Sequence, residues 1–445
     1  MNTTSLETTT ASSGNGDLHR ATFTTSRLLD FFSEKELVLQ TGHDREDWPD
    51  VLLKELVDNA LDAAEDARVP PEITVSVEGD SLSVADNGPG LAPEIVTRIL
   101  DFSTRTSSKD FYISPTRGTQ GNALKTVLAI PFVLSDSQSG TVKIESRGVR
   151  HVLTVAVDRI RQEPKIEHRQ EPSVVKNGAV VTVSACLEDG AQDERFLQRV
   201  RNYALLNPHA AFVSKDLREP ATVNGDWQKW RPGDPTSPHW YSAEELRALI
   251  AAYLKAEQDG GPVRFVRDFV VEFRGLSGTA KQKRILGELG LAGTRLADLA
   301  KDGDVDREIV AQLHAAMQRE SRPVKPEALG KIGEKHIRAK LKDMQCNEPS
   351  VRYQCLSGTD AEHRPYMAEI AFGVFEDRKR QRDLICGLNF SPTIGDPFRK
   401  LAGYQGLDGL LSDQFVSEDS PCCVVVHLTA PHLNYTDRGK STLAL

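Results

Sequence analysis

The sequence predicts an α+β fold divided into domains, and three observations indicate this class. Residues 48–68 carry apolar side chains at helical spacing, and the prolines at 70–71 stop that helix. Residues 73–90 then alternate as two strands around a turn at Gly79 and Asp80. A chain of 445 residues is also long for one hydrophobic core, so two or three domains are expected.

The first domain, predicted over residues 21–235, continues with alternating elements. These are a helix at about 93–100, a polar stretch at 103–120, an apolar run at 121–134, strands at 143–157 and 178–187, and a helix at about 194–206. This order is typical of an α/β sandwich whose helices cover one face of a sheet.

Two further domains follow a boundary that is rich in proline and tryptophan, at 217–241. Residues 236–322 are predicted to form a small helical domain with glycine-rich breaks. After Pro323 and Pro326 a third domain, 323–445, combines a helix near 331–342 with apolar strands. We therefore expect a helical insert between two α/β units.

Composition narrows the function classes. The apolar content of 39% and charged content of 27% are ordinary for a globular protein, and no run is long enough to read as a membrane span. The net charge of −9 argues against a surface that is basic throughout. The six cysteines lack paired spacing, which favours a reduced, cytoplasmic chain without structural zinc. Residues 1–20 are predicted to be a disordered leader.

The first motif with chemical content is ELVDNALDA, at 55–63. On a helix Glu55 and Asn59 are four residues apart and share a face, with Asp62 close behind. A carboxylate and an amide in this arrangement can orient a water molecule and a hydrated Mg²⁺ ion. A solvated polar face is the alternative explanation.

Two glycine-containing motifs follow. Asp86 ends a strand, where its carboxylate can accept a hydrogen bond from an adenine amino group, and Gly88 and Gly90 let backbone pass close to a ligand. An ordinary Asn-Gly turn is the alternative. At 117–130 glycines precede a helix, whose first N–H groups can cradle phosphates, and Lys125 adds a positive charge.

In this order the three motifs resemble the GHKL ATPases, which include gyrase-type and type IIB topoisomerases, mismatch-repair MutL proteins, ninety-kilodalton chaperones and histidine kinases. The resemblance covers about residues 21–215 and implies a Bergerat-fold ATPase domain that uses ATP and Mg²⁺. It implies that Glu55 is the general base, that Asn59 holds Mg²⁺ and that 103–121 is the ATP lid. The ATP-binding residues so implied are Asn59, Asp86, Gly88, Gly90, Ser107, Ser108, Lys109, Arg117, Gly118, Thr119, Gln120, Gly121, Asn122, Ala123 and Lys125.

Four later segments resemble the topoisomerase VI B subunit in particular. They are NPHA at 207–210, a segment similar to the helix–two-turn–helix insert at 273–290, one similar to the entry into the transducer domain at 322–337, and YTDRGKSTLA at 435–444. The last of these looks like the loop whose lysine reaches the γ-phosphate. By this resemblance Lys440 is a catalytic switch lysine, with a solvated terminal lysine as the alternative.

The resemblance implies a nucleotide-driven clamp that forms an ATP-dependent homodimer and controls a separate DNA-cleaving subunit like topoisomerase VI A. Duplex DNA is a candidate partner through Lys281, Lys283, Arg284 and the basic helix at 331–342, although solvated charge is the commoner explanation of such clusters. Two positions depart from the family pattern. Ala123 replaces a glycine of the phosphate loop, and Ala179 replaces a threonine beside the pocket.

Three other functions stay open. A MutL-like mismatch-repair ATPase is disfavoured by the helical insert, which that family lacks. An ATPase subunit of a bacterial anti-phage or anti-plasmid system on the same scaffold is favoured by the end of the sequence at Leu445, where the topoisomerase subunit continues into a docking helix. An ATP-sensing scaffold without turnover is the alternative outside the enzymes.

Overall fold

The computed structural model describes ten stretches of the chain: 32–99, 111–117, 123–135, 139–158, 163–184, 191–223, 225–301, 303–400, 405–437 and 439–444. The predicted leader and most of the predicted lid lie outside these stretches. So do the candidate residues Ser107, Ser108, Lys109, Gly118, Thr119, Gln120, Gly121 and Asn122.

The N-terminal part combines five helices with eight strands in the described stretches. The helices are α1 (Glu34–Thr41), α2 (Trp48–Asp66), α3 (Pro93–Ile99), α4 (Ala123–Leu134) and α5 (Ala191–Leu206). The strands are β1 (Glu72–Glu78), β2 (Ser81–Asp86), β3 (Gly140–Ser146), β4 (Val149–Asp158), β5 (Glu163–Pro172), β6 (Ala179–Ser184), β7 (Ala211–Ser214) and β8 (Leu217–Glu219). They form one sheet in the order β5-β4-β3-β6-β2-β1-β7-β8.

Helix α2 is the central helix of this part. Pro49 lies in its first turn, where the missing N–H has no helical partner to lose. Apolar residues at helical spacing, including Leu52, Leu56 and Leu61, are buried in the same core as the inward residues of β1 and β2. The opposite face of α2, which carries Glu55 and Asn59, is left for polar contacts.

The middle part is helical and has a hydrophobic core of its own. Its helices are α6 (Ala243–Gln258), α7 (Val266–Val271), α8 (Thr279–Glu288) and α9 (Arg307–Glu320), with a small ladder of β9 (Ala300–Lys301) and β10 (Asp304–Val305). Trp230, Trp240 and Phe269 are buried in this core. Two residues of the predicted lid, Tyr112 and Ile113, also pack in this core.

The C-terminal part builds a second sheet in the order β11-β12-β15-β13-β14 from the described residues. Its elements are α10 (Glu334–Asp343), β11 (Arg352–Thr359), β12 (Pro365–Val374), β13 (Asp383–Leu388), β14 (Ser391–Pro392), α11 (Gly406–Asp413) and β15 (Cys422–Thr429). The mixed α+β class is therefore confirmed. The three-domain boundaries remain predictions, and the hydrophobic core of the middle part includes Trp230 and Leu329 from either side of the predicted helical domain.

The structure adds two features that the sequence pattern did not separate. The stretch 143–157 is a hairpin of β3 and β4 instead of one strand, because Arg147 and Gly148 both adopt positive φ and reverse the chain. Strand β5, whose side chains are mostly polar, pairs with β4 along ten residues. In the described part of the chain, no helix is long and apolar enough to cross a membrane.

Candidate nucleotide site

A cavity of about 770 Å³ lies where the three parts of the chain meet. Helix α2 provides one wall, the first turns of α4 a second, α6 a third, and two loops of the C-terminal part close it. Of the predicted site residues in the described stretches, it brings together Glu55, Asn59, Arg117, Lys125 and Lys440.

Glu55 and Asn59 face this cavity from successive turns of α2, as their spacing predicts. Asn59 is exposed and Glu55 is half-buried. Burial raises the pKa of the Glu55 carboxyl above its ordinary value of 4.5, and the nearby ammonium groups of Lys54 and Lys440 act in the opposite direction. Glu55 is therefore a carboxylate whose basicity is increased by its surroundings.

Lys440 enters the cavity on a compact loop that is anchored to α1. The Asp437 carboxylate accepts hydrogen bonds from the backbone N–H groups of Ser441 and Thr442, each at 3.0 Å. Gly439 packs so closely on Gly42, at the end of α1, that a Cβ on Gly439 would lie 2.0 Å from the Gly42 nitrogen. Lys440 has a φ of +55°, and its ammonium lies 5.9 Å from the centroid of the Tyr435 ring.

The Asp86 loop lies beside the end of α2 that follows Asn59. Its Oδ1 atom accepts a hydrogen bond from the Gly88 N–H at 2.8 Å, and burial raises the pKa of the Asp86 carboxyl. Gly88 approaches Ala64 closely, so the loop lies about one turn of α2 past Asn59. Gly90, with a φ of +71°, packs against Ser146, since a Cβ there would lie 2.3 Å from the Ser146 hydroxyl oxygen. The space beside Gly90 is thus occupied by protein atoms.

Arg117 lies at the back of the cavity in a buried ion cluster. Its guanidinium, with no exposed surface, contacts Asp62 and Glu65, each at 2.8 Å, and donates to the Asn207 side-chain oxygen at 2.5 Å. Lys229 pairs with the same Glu65 carboxylate at 2.6 Å. Burial alone would raise the pKa of Glu65, but Arg117 and Lys229 outweigh it and hold that pKa well below its usual range.

The effect on Asp62 has the opposite sign. Burial raises the pKa of the Asp62 carboxyl to about 6, although Arg117 opposes this. Arg117 therefore holds the end of the lid segment to α2 through Glu65, and its guanidinium is already engaged with protein groups. Lys125, in α4, is also buried at the cavity wall. Ala123 begins α4.

A magnesium ion fits the donor set that α2 presents. Mg²⁺ prefers oxygen ligands and keeps several waters, so it binds through one or two protein groups together with substrate phosphates. Asn59 offers an exposed amide oxygen at the cavity wall, with Glu55 one turn before it. Among the residues that the structure describes, no three His, Cys, Asp or Glu side chains are grouped to hold a metal without such help.

The structure also reveals cavity residues that sequence reasoning missed. The hairpin of β13 and β14 places Asn389 and Ser391 at the cavity, where Ser391 contacts Lys54 and Asp58 of α2. The helical spacing of Lys54 and Asp58, one position before Glu55 and Asn59, was a usable signal. Ser391 has no signal in the sequence, because only the packing of the C-terminal sheet against α2 brings it to the cavity.

A family model matches the N-terminal part of this chain, and some relatives align with most of its length. Residues 44–183 match the family described as histidine kinase-, DNA gyrase B-, and HSP90-like ATPase. The B subunit of type 2 DNA topoisomerase 6 from Natronomonas pharaonis is 31% identical over 168 residues, 36% of this chain and 20% of that protein. The corresponding protein of Metallosphaera sedula is 24% identical over 418 residues, 88% of this chain and 75% of that protein.

Solved structures show weaker likeness. The B subunit of DNA gyrase from Myxococcus xanthus aligns with 88% of this chain and 84% of that chain, at 14% identity and a TM-score of 0.34. The ATPase region of Saccharomyces cerevisiae topoisomerase II aligns with 88% of this chain and 76% of that chain, at 12% identity and a TM-score of 0.38. The matches in sequence are the informative ones, and they confirm the predicted resemblance. The chain carries an ATPase domain of the GHKL family, and distant homologues over most of its length are B subunits of type 2 DNA topoisomerase 6.

Proposed function

We propose that this protein hydrolyses ATP with Mg²⁺ and uses the cycle as a dimerising clamp that controls a separate DNA-cleaving subunit. The observation that carries the proposal is the meeting of Glu55 and Lys440 at one cavity, although they come from opposite ends of the chain. A general base and a cation on a separate loop at one site are what a nucleotide-driven switch requires.

In this proposal Glu55 removes a proton from the attacking water. Burial raises its pKa, which makes the carboxylate a stronger base than an exposed glutamate. Asn59 holds Mg²⁺, which neutralises charge on the transferred phosphoryl group when it is bound. Asp86 accepts the adenine amino hydrogen bond, and Lys125 neutralises phosphate charge at the start of α4.

Lys440 gives the site its dependence on nucleotide state. Its ammonium attracts a γ-phosphate and loses that partner after hydrolysis, so ATP and ADP favour different positions of the C-terminal part. ATP-dependent pairing of two ATPase domains completes the clamp. The lid residues at 107–109 and 118–122 remain proposed ATP contacts, whereas Arg117 acts at the pocket through the Glu65 cluster.

The partners are proposals that rest on the topoisomerase relatives. A DNA-cleaving subunit similar to topoisomerase VI A is the expected protein partner, and a cytoplasmic location is expected with it. Duplex DNA is the weaker candidate, because acidic neighbours already pair with several of the basic residues: Arg284 with Glu320, Lys340 with Glu219 and Lys342 with Glu348. The anti-phage or anti-plasmid role on this scaffold stays the second candidate function.

Turnover by Glu55→Ala tests the core of the proposal. We expect the variant to bind ATP nearly as well as the unaltered protein and to lose turnover by roughly 10²–10⁴-fold, the usual contribution of a general base. The assay is steady-state phosphate release with and without duplex DNA, alongside calorimetric ATP binding. Unaltered turnover in this variant would remove Glu55 from the mechanism, and ATP binding without turnover in the unaltered protein would favour the sensing scaffold.

A further inference from the structure

The hairpin of β13 and β14, with Thr393 directly after it, is held on the ATPase part by contacts to its backbone. The Asn207 amide donates to the Phe390 carbonyl at 2.8 Å, and Arg199 of α5 donates to the Thr393 carbonyl at 2.8 Å. Asn389 and Phe390 both have positive φ, as the two-residue turn of a β-hairpin requires. The hydrogen bonds from Asn207 and Arg199 hold this region against α5 and the loop that follows it.

Ser391, the first residue of β14, contacts α2. Its hydroxyl accepts a hydrogen bond from the Lys54 ammonium at 2.7 Å and donates one to an Asp58 carboxylate oxygen at 2.8 Å. Lys54 and Asp58 are themselves paired at 2.5 Å, and the Tyr203 hydroxyl donates to the other Asp58 oxygen at 2.9 Å. Ser391 is 3% exposed, so this network is closed to solvent at its centre.

The contacted pair lies directly beside the pair proposed for chemistry. Successive residues of an α-helix are rotated by about 100°, so the Lys54 and Asp58 row borders the Glu55 and Asn59 row along the same two turns. A shift of these two turns displaces the base and the magnesium ligand together. A misplacement of about 1 Å can cost on the order of 10²-fold in rate.

We propose that Ser391 is a positioning residue for ATP hydrolysis, contributed by the C-terminal sheet and acting on Glu55 and Asn59 through Lys54 and Asp58. A hydroxyl suits this task because it accepts from the ammonium and donates to the carboxylate at once. The inference rests on the proposed function. Ser391 is then a second residue of the C-terminal part, besides Lys440, through which the position of that part affects the nucleotide site.

On its other side the turn is tied to the centre of the C-terminal sheet. The Phe390 N–H donates to His427 Nε2 at 3.0 Å, and His427 Nδ1 contacts the buried Glu369 carboxylate at 3.2 Å. Glu369 in turn accepts the N–H groups of Ile332 and Gly333, just before α10. A continuous set of hydrogen bonds therefore connects the start of α10 with the turn that precedes Ser391.

Steady-state hydrolysis by Ser391→Ala in the full chain tests this inference. We expect kcat to fall about 10- to 100-fold while the KM for ATP and the ADP affinity stay within about twofold, because the Ser391 hydroxyl is already engaged by Lys54 and Asp58. Ser391→Thr keeps the hydroxyl and should recover most of the lost rate. Ser214→Ala, a buried serine of β7, is the matched control and should behave like the unaltered protein.

A double-mutant cycle separates positioning from general destabilisation. Because Ser391 acts through Lys54 and Asp58 together, the losses of Ser391→Ala and Lys54→Met should be clearly less than additive in the double variant. Turnover is counted per molecule that binds a fluorescent ATP analogue, so misfolded protein does not contribute. Unaltered kcat in Ser391→Ala, additive losses in the cycle, or no recovery by Ser391→Thr would each overturn the inference. Normal turnover in Glu55→Ala would instead overturn the proposed function.

Discussion

Replacement of Arg117 by Met tests whether the buried ion cluster is a structural element of the nucleotide site. The change retains an unbranched aliphatic stem and removes the guanidinium charge that faces Asp62 and Glu65. Both carboxylates then stay buried with less compensation, and the breaking of a buried ion pair in this way costs about 3–5 kcal/mol. The structure places Arg117→Met at the lower end of that range, because Lys229 still pairs with Glu65 at 2.6 Å.

A loss of about 3 kcal/mol corresponds to a fall in Tm of roughly 6–12 °C for a cooperative unit of 150–250 residues. Differential scanning fluorimetry without nucleotide measures it. Arg319→Met removes a surface pair with Glu288, in which both side chains are more than half exposed, and should cost under about 1 kcal/mol. An Arg117→Met protein with unaltered Tm would refute the structural role of the cluster.

The same variant has a predicted pH signature. The pKa of Glu65 is lowered in the folded protein, so its stabilising contribution is complete above its ordinary pKa of 4.5 and is lost as the pH falls through the lowered value. Without the Arg117 charge, the pKa of Glu65 moves up. The Tm difference between the two proteins should therefore shrink on acidification, first from about pH 6, where Asp62 titrates, and again below pH 4.5, where Glu65 does. A difference that grows on acidification would contradict this reasoning.

Three further predictions concern the nucleotide cycle. Lys440→Ala should lower turnover and the dimerisation induced by a non-hydrolysable ATP analogue while ADP affinity stays unchanged, whereas Lys125→Ala should weaken the binding of ATP and ADP alike. Light scattering measures the dimerisation and calorimetry the affinities, and normal dimerisation and turnover in Lys440→Ala would remove Lys440 from the switch. Asp86→Asn adds a donor where an acceptor is needed, so the preference for ATP over GTP should fall in competition binding, and an unchanged preference would end the adenine assignment. Turnover should fall on acidification with a midpoint above pH 4.5, because burial raises the pKa of Glu55. The Lys440 ammonium lowers that pKa, so Lys440→Ala should move the midpoint upward, and an unchanged midpoint would show that the ammonium does not act on Glu55.

The local sequence pattern determined those elements whose contacts join residues close together in the chain. The spacing of Glu55 and Asn59 on α2 followed from helical geometry alone, and the β1–β2 pair followed from alternation around a tight turn. The turn at Arg147 and Gly148 was harder, because a positive φ at an arginine has no strong signature in a single sequence.

Only the tertiary structure decided which residues that are distant in sequence meet at the site. The resemblance of the last loop to a family motif singled out Lys440, but only the packing of Gly439 on Gly42 brings that loop to the cavity. The resemblance placed Arg117 among the ATP-binding residues, and only the tertiary structure shows that its guanidinium pairs with the buried carboxylates of Asp62 and Glu65. Ser391 had no motif at all, and it reaches Lys54 and Asp58 because the C-terminal sheet packs its β13–β14 turn into the ATPase part. Burial and long-range pairing decide the role of such groups, and neither is written in local periodicity.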